Sequence, residues 1–175
     1  MKKRKVFFTV LAIIIVLFGV YYFSNKDKTF IVIEDRRGNV LTVIQAHQEF
    51  STIYIHSSEK QPWENVYKIN NDNTFTLMTM KVRSLGPGVP YNIEDGWQFY
   101  IKDGFFIYDN INKKFNFIDI KLSSISPHFI KVNKRMFNLV DICGDNADIK
   151  ILIAKGILVD IRRFFTWMIL ESKKL

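Results

Sequence analysis

The sequence predicts a mainly β fold, an antiparallel β-sandwich or partly closed barrel, with one N-terminal transmembrane helix in front and a C-terminal amphipathic helix behind. Three observations predict it. An uncharged run, VFFTVLAIIIVLFGVYYF, opens on Val6 and closes on Phe23. From residue 29 the apolar residues recur with a period of two, in short β-branched and aromatic runs broken by turn clusters. After Gly156 the period becomes that of a helix.

The chain of 175 residues has room for one ordinary domain and an appendage. With 48% hydrophobic and 24% charged residues it is globular rather than disordered in composition. The net charge is +8, but Lys2, Lys3, Arg4 and Lys5 supply four of those charges ahead of the apolar run. No Lys/Arg stripe interleaved with aromatics follows, which argues against nucleic-acid binding. Cys143 is the single cysteine, so no internal disulfide forms; its expected place is a small buried hydrophobe near a strand end.

Residues 6–23 as a helix rise about 27 Å, enough for the bilayer hydrocarbon. Tyr21 and Tyr22 fall where an aromatic belt meets the far interface. The KKRK flank predicts a cytoplasmic N-terminus and an exported bulk. The apolar run is long for a cleaved leader, YYFSNKDK has no small-residue cleavage site and no cysteine directly follows the run. The expected organisation is a basic tip and uncleaved signal anchor over 1–24, a linker over 25–28, an extracytoplasmic β domain over 29–155, and a helix and tail over 156–175.

Strands are expected at 29–33 and 40–44 around the turn EDRRGN, where Gly38 supplies positive φ, and at 50–56. Runs at 66–69 and 75–82 make a hairpin across NNDN. In the second run Phe75 and Leu77 share a phase that Met80 and Val82 do not, which predicts a bulge near Met78. Runs 97–101 and 105–108 make a hairpin around Asp103-Gly104. Strands at 115–122, 128–132, 136–142 and 149–154 complete about ten. Beyond them Ile157, Ile161, Phe164, Phe165 and Met168 fall on one helical face, with Asp160, Arg163 and Glu171 opposite. That helix covers a sheet, or docks on membrane or a membrane partner with Arg162 and Arg163 toward anionic headgroups.

Two blocks carry the remaining signal. The first is His56-Ser57-Ser58-Glu59-Lys60-Gln61-Pro62 with Glu64, and the second is Ser84-Leu85-Gly86-Pro87-Gly88-Val89-Pro90. They resemble the HSVEK-x-P-x-E and S-F-G-A-G-[LM]-P segments of the DUF1850 family, over roughly residues 29–153. Where that family carries an acid and an arginine before the glycine loop, this chain has Thr79-Met80-Lys81-Val82. The resemblance implies a small exported or membrane-attached bacterial protein of unknown activity. It also implies association with a TAXI-type tripartite ATP-independent periplasmic (TRAP) transporter, through its permease or its solute-binding protein.

From the residues themselves, His56, Ser57, Glu59, Lys60, Pro62, Glu64, Ser84, Gly86, Gly88 and Pro90 form a candidate binding patch, if neighbouring strands bring the blocks together. Glu59 and Lys60 can pair at the turn, and the Gly-Pro alternation makes a rigid loop. The same residues also suit a purely structural motif. HxxE is not a compact metal spacing, and no G-x-S-x-G elbow, Cys/His pair or phosphate loop appears. The expectation is a membrane-anchored accessory protein that needs no cofactor or metal and is not an enzyme. The alternatives are a small-molecule-binding β domain and a metal-dependent hydrolase using His56 and Glu59.

Overall fold

In this computed structural model, residues 2–156 and Val159 are described. The helix and docking face expected at 157–175 (Ile157, Ile161, Arg162, Arg163, Phe164, Phe165, Met168) lie outside the described residues. The first element is α1 (Lys2–Asn25). Its segment Phe7–Asn25 is long and apolar enough to cross a bilayer, and none of it is buried in the protein. It fits a single-pass membrane anchor or a signal sequence.

Among the described residues twelve strands follow. β1 (Thr29–Asp35), β2 (Val40–Ala46), β9 (Phe117–Lys121) and β12 (Asp148–Lys155) form a four-stranded antiparallel sheet in the order β2-β1-β12-β9. β3 (Glu49–Ile55), β4 (Pro62–Ile69), β5 (Phe75–Val82), β6 (Gln98–Lys102), β7 (Phe105–Asp109), β8 (Lys113–Phe115), β10 (His128–Val132) and β11 (Arg135–Asn138) form the second sheet. Its order is β11-β10-β3-β4-β5-β7-β6, with β8 paired to β5. The two sheets make an open sandwich.

Alternation along the strands builds the core between them. Ile31, Ile33, Phe50, Phe75, Ile130 and Ile151 are each 2% exposed or less. Phe50 stacks on Tyr67 with ring centroids 5.0 Å apart, and both meet Phe75 edge-on. The larger sheet carries a second cluster on the same inner face, Trp63, Met80, Val82 and Tyr108. No residue of the small sheet joins it; Val89 and Trp97 from the loop over 83–97 cover it instead. That loop therefore replaces a facing sheet.

The bulge expected near Met78 is present. Val66 pairs with Thr79 but Tyr67 pairs with Leu77, which leaves Met78 as the extra residue. Several boundaries differ from expectation. β4 begins at Pro62, so Trp63 and Glu64 are strand residues. The run 115–122 is two strands in different sheets, because the chain crosses the sandwich at Asn116. The run 136–142 is β11 followed by α2 (Leu139–Cys143). The side chain of Asn138 caps that helix by accepting from the Val140 N–H, a local bond that competes with strand continuation. Cys143 ends α2 half-buried against the main core, and burial pushes its thiol pKa up.

Candidate functional site

The antiparallel pairing of β4 with β5 brings the two blocks together, since Trp63 sits opposite Val82 and the blocks extend from those ends. The first block is a tight turn. His56 N–H donates to Gln61 C=O (2.9 Å), Lys60 N–H to His56 C=O (2.8 Å), and Lys60 has φ of 52°. The second is a type II turn over Gly86–Val89, with Pro87 second and Gly88 third at φ 89°. Val89 N–H closes it onto Gly86 C=O at 3.2 Å.

Side chains join the two turns. His56 Nε2 lies 3.2 Å from Pro87 C=O, and the Ser58 hydroxyl and Glu59 N–H lie 3.1 and 3.5 Å from Nδ1. A backbone N–H can only donate, so Nδ1 accepts and Nε2 carries the proton given to Pro87. The Ser84 hydroxyl donates to Glu59 Oε2 at 3.1 Å. Gly86 admits this carboxylate, because a Cβ there would lie 3.0 Å from Glu59 Cγ. Glu59 is thus committed to Ser84 and not to Lys60. The space left between the blocks is about 10 Å³, which is water-sized and too small for a substrate.

The sequence-based patch divides. His56, Glu59, Pro62, Ser84 and Gly86 line the join, a Cβ on Gly88 would lie 3.9 Å from the Trp63 ring, and Pro90 is held through its C=O by the Tyr108 hydroxyl at 3.4 Å. Ser57 and Lys60 sit exposed on the turn. Glu64 does not belong. It projects from the opposite face of the sheet, where Lys81 (3.3 Å) and Lys131 (3.8 Å) flank it. Those groups line a separate, shallow groove of about 800 Å³ with His47 and Lys134.

The residues that sequence reasoning passed over are aromatic. Tyr54 stacks between Trp63 (5.4 Å) and His128 (5.5 Å), and His56 lies parallel to Trp63 at 6.3 Å. The strand registers set this ladder directly, since Tyr54 is opposite both Trp63 and His128. Burial raises the Tyr54 hydroxyl to about 12, with Tyr67 adding to it. Burial also lowers His128 below the usual imidazole range, opposed by a backbone bond at Ser126. Beside the ladder, Leu85, Val89, Tyr91, Ile93 and Phe99 line an open cleft of about 400 Å³. Leu85, Tyr91 and Ile93 are each more than half exposed. Apolar residues in a stretch where turns call for polar ones were the available signal.

Among the described residues no group of three or more His, Cys, Asp and Glu side chains converges. The arrangement offers a stiff loop, a parallel aromatic row beneath it and an apolar cleft beside it, which are features of a surface that binds. No curated protein and no solved structure matches the chain. Residues 50–139, just over half of the chain, match the domain of unknown function DUF1850. That span opens inside β3 and closes at the start of α2, narrower than the resemblance read from the sequence, and it holds both blocks and the cleft. The chain belongs to the DUF1850 family.

Proposed function

We propose that the chain is a membrane-anchored accessory protein, held outside the cytoplasm, that docks through the loop over 83–97 on a TRAP-type (TAXI) solute transporter. The observation that carries this reading is the join between helix and sandwich. α1 ends at Asn25 and β1 starts at Thr29. Three intervening residues span at most about 14 Å when fully extended. A domain so tethered works at the membrane surface, where its partner is a membrane protein or something delivered to one. The KKRK flank supports an outward body, and the family resemblance supports the kind of partner. The loop supports docking, since it presents Leu85, Tyr91 and Ile93 as exposed apolar side chains.

The test is co-purification of tagged full-length chain from native membranes in mild detergent. A multi-spanning permease or its solute receptor is expected to come along, and to be lost in a Tyr91→Ala, Ile93→Ala double variant. Recovery of the chain alone would remove the accessory reading. The cleft favours a second reading, a site for a small apolar ligand. Thermal stabilisation of the purified chain by such ligands, with no partner recovered, would decide for it. We assign no catalytic role to His56, whose two ring nitrogens both serve the loop.

A further inference from the structure

The exposed edge of the larger sheet is unusual. β6 (QFYIK) pairs only with β7 among the described residues, and all five of its residues are exposed. Phe99, Tyr100 and Ile101 are 39%, 41% and 65% exposed. Natural edges are commonly protected by a central charge, a proline or a bulge, and the middle of β6 has none of these. Its free hydrogen-bonding groups follow from the hairpin. Asp103 and Gly104, at φ 52° and 73°, make a two-residue type I′ turn. The Lys102–Phe105 pair that closes such a turn is hydrogen-bonded, so bonding to β7 falls on Lys102, Tyr100 and Gln98. The N–H and C=O groups of Phe99 and Ile101 therefore point outward.

We infer that β6 is a dimerisation edge, pairing antiparallel with β6 of a second copy about a two-fold axis at Tyr100. In that register Phe99 faces Ile101 of the other copy, and the outward groups of both exchange hydrogen bonds. Phe99 and Ile101 share the inner apolar face with Phe106 and Tyr108, their partners in β7, so pairing also continues that face across the join.

Charge selects a second copy as the occupant. The C-terminal end of β6 is basic, with Lys102 and with Arg83, whose guanidinium stacks 4.4 Å from the Phe105 ring centroid. The other end is acidic. Glu94 and Asp95 form the turn leading into the strand, and Asp109 lies opposite Gln98. Antiparallel self-pairing sets each basic end beside the acidic end of the other copy. Asp103 at the tip offsets one of the two positive charges and leaves the asymmetry standing.

Cross-linking in native membranes tests this, using Tyr100→Cys in a chain whose own thiol is removed by Cys143→Ser. Facing residues of a non-hydrogen-bonded antiparallel pair have Cα atoms about 4.5 Å apart, within disulfide reach. Mild oxidation is expected to give a covalent dimer, with at least tenfold less from Ile125→Cys on a distant exposed loop. In detergent the full chain is expected at twice its 20.7 kDa mass. Ile101→Pro removes only an outward N–H and is expected to halve that mass while leaving the unfolding temperature within a few degrees. Ile101→Lys, at a solvent-exposed position, gives the same result should proline disturb the hairpin. A monomeric parent chain, equal cross-linking at residue 125, or a dimer that survives both Ile101 variants overturns the assignment.

Discussion

Gly86 and Gly88 flank Pro87 and do different work. Gly88 has φ of 89°, a region costly for any side chain with a Cβ. Gly86 is not among the positive-φ residues; what it supplies is room, since a Cβ there would sit 3.0 and 3.1 Å from Glu59 Cγ and Oε1. Gly86→Ala is therefore expected to displace the Glu59 side chain, break its bond to Ser84 and cost about 1 kcal/mol. In a Glu59→Ala background the same change is expected to be neutral or stabilising by up to ~1 kcal/mol, through reduced freedom of the unfolded chain. Gly88→Ala is expected to cost about 1–2 kcal/mol in either background. Chemical unfolding of the four Glu59/Gly86 combinations measures the coupling, and additive costs would show that Gly86 does not serve Glu59. The meeting of the two blocks was legible in the sequence because a hairpin juxtaposes their ends. The misplacement of Glu64 has a simple cause. The motif reads as a string, but once β4 starts at Pro62 strict alternation sends Glu64 to the face opposite Trp63. His128 was beyond reach, because β10 pairs with β3 across more than seventy residues of chain and no local pattern encodes that pairing.

At the scale of elements, periodicity served well where a strand has one buried face and failed where a local side-chain bond or a change of sheet intervened. The phase slip in β5 identified its bulge. Phe75 and Leu77 must face inward together with Met80 and Val82, and only an extra residue allows it. Asn116 and Asn138 are where pattern reading failed. A run of alternating residues looks the same whether it stays in one sheet or crosses between two, and a single Asn cap turned an apparent strand into a helical turn. The bulge carries a prediction. Deleting Met78 removes the bulge and leaves strict alternation, in which Phe75, Leu77, Met80 and Val82 still share the inner face. It also removes the C=O that accepts the Ile111 N–H at 3.0 Å. Phe75 is wholly buried and Val82 2% exposed, and both keep their places, so the deletion is expected to cost about 1–2 kcal/mol for the lost bond and to leave unfolding cooperative. Met78→Ala keeps the register and is expected to cost about 1 kcal/mol. Circular dichroism melts of the two variants separate the backbone bond from the side chain; a deletion that abolishes cooperative unfolding would mean that the sheet needs the bulge itself.

For the whole molecule, the decisive relation is between α1 and the sandwich. The helix end is bonded onward into the β domain. Lys28 N–H donates to Asn25 C=O at 3.1 Å, and Gly156 N–H, at the end of β12, donates to Lys28 C=O at 2.9 Å. Gly156 packs so closely that a Cβ on it would overlap Asn25 O. On the outer face of the small sheet, Val159 is buried with Val32 and Ala154, so that face carries covering chain. The loop over 83–97, at the overhanging end of the larger sheet, offers the exposed apolar side chains instead. A body fixed this close to its helix is held at a high effective concentration relative to a partner in the same membrane. Inserting twenty Gly/Ser residues between Asp27 and Lys28 adds about 25 Å of root-mean-square reach and leaves Lys28 attached to β1 and Gly156. The unfolding temperature of the β domain is expected to stay within a few degrees of the parent. Recovery of a membrane partner in the co-purification is expected to fall several-fold, because the docking loop then samples a volume far larger than the one the short join permits. Undiminished recovery would mean that docking strength resides in the loop alone and owes nothing to the tether.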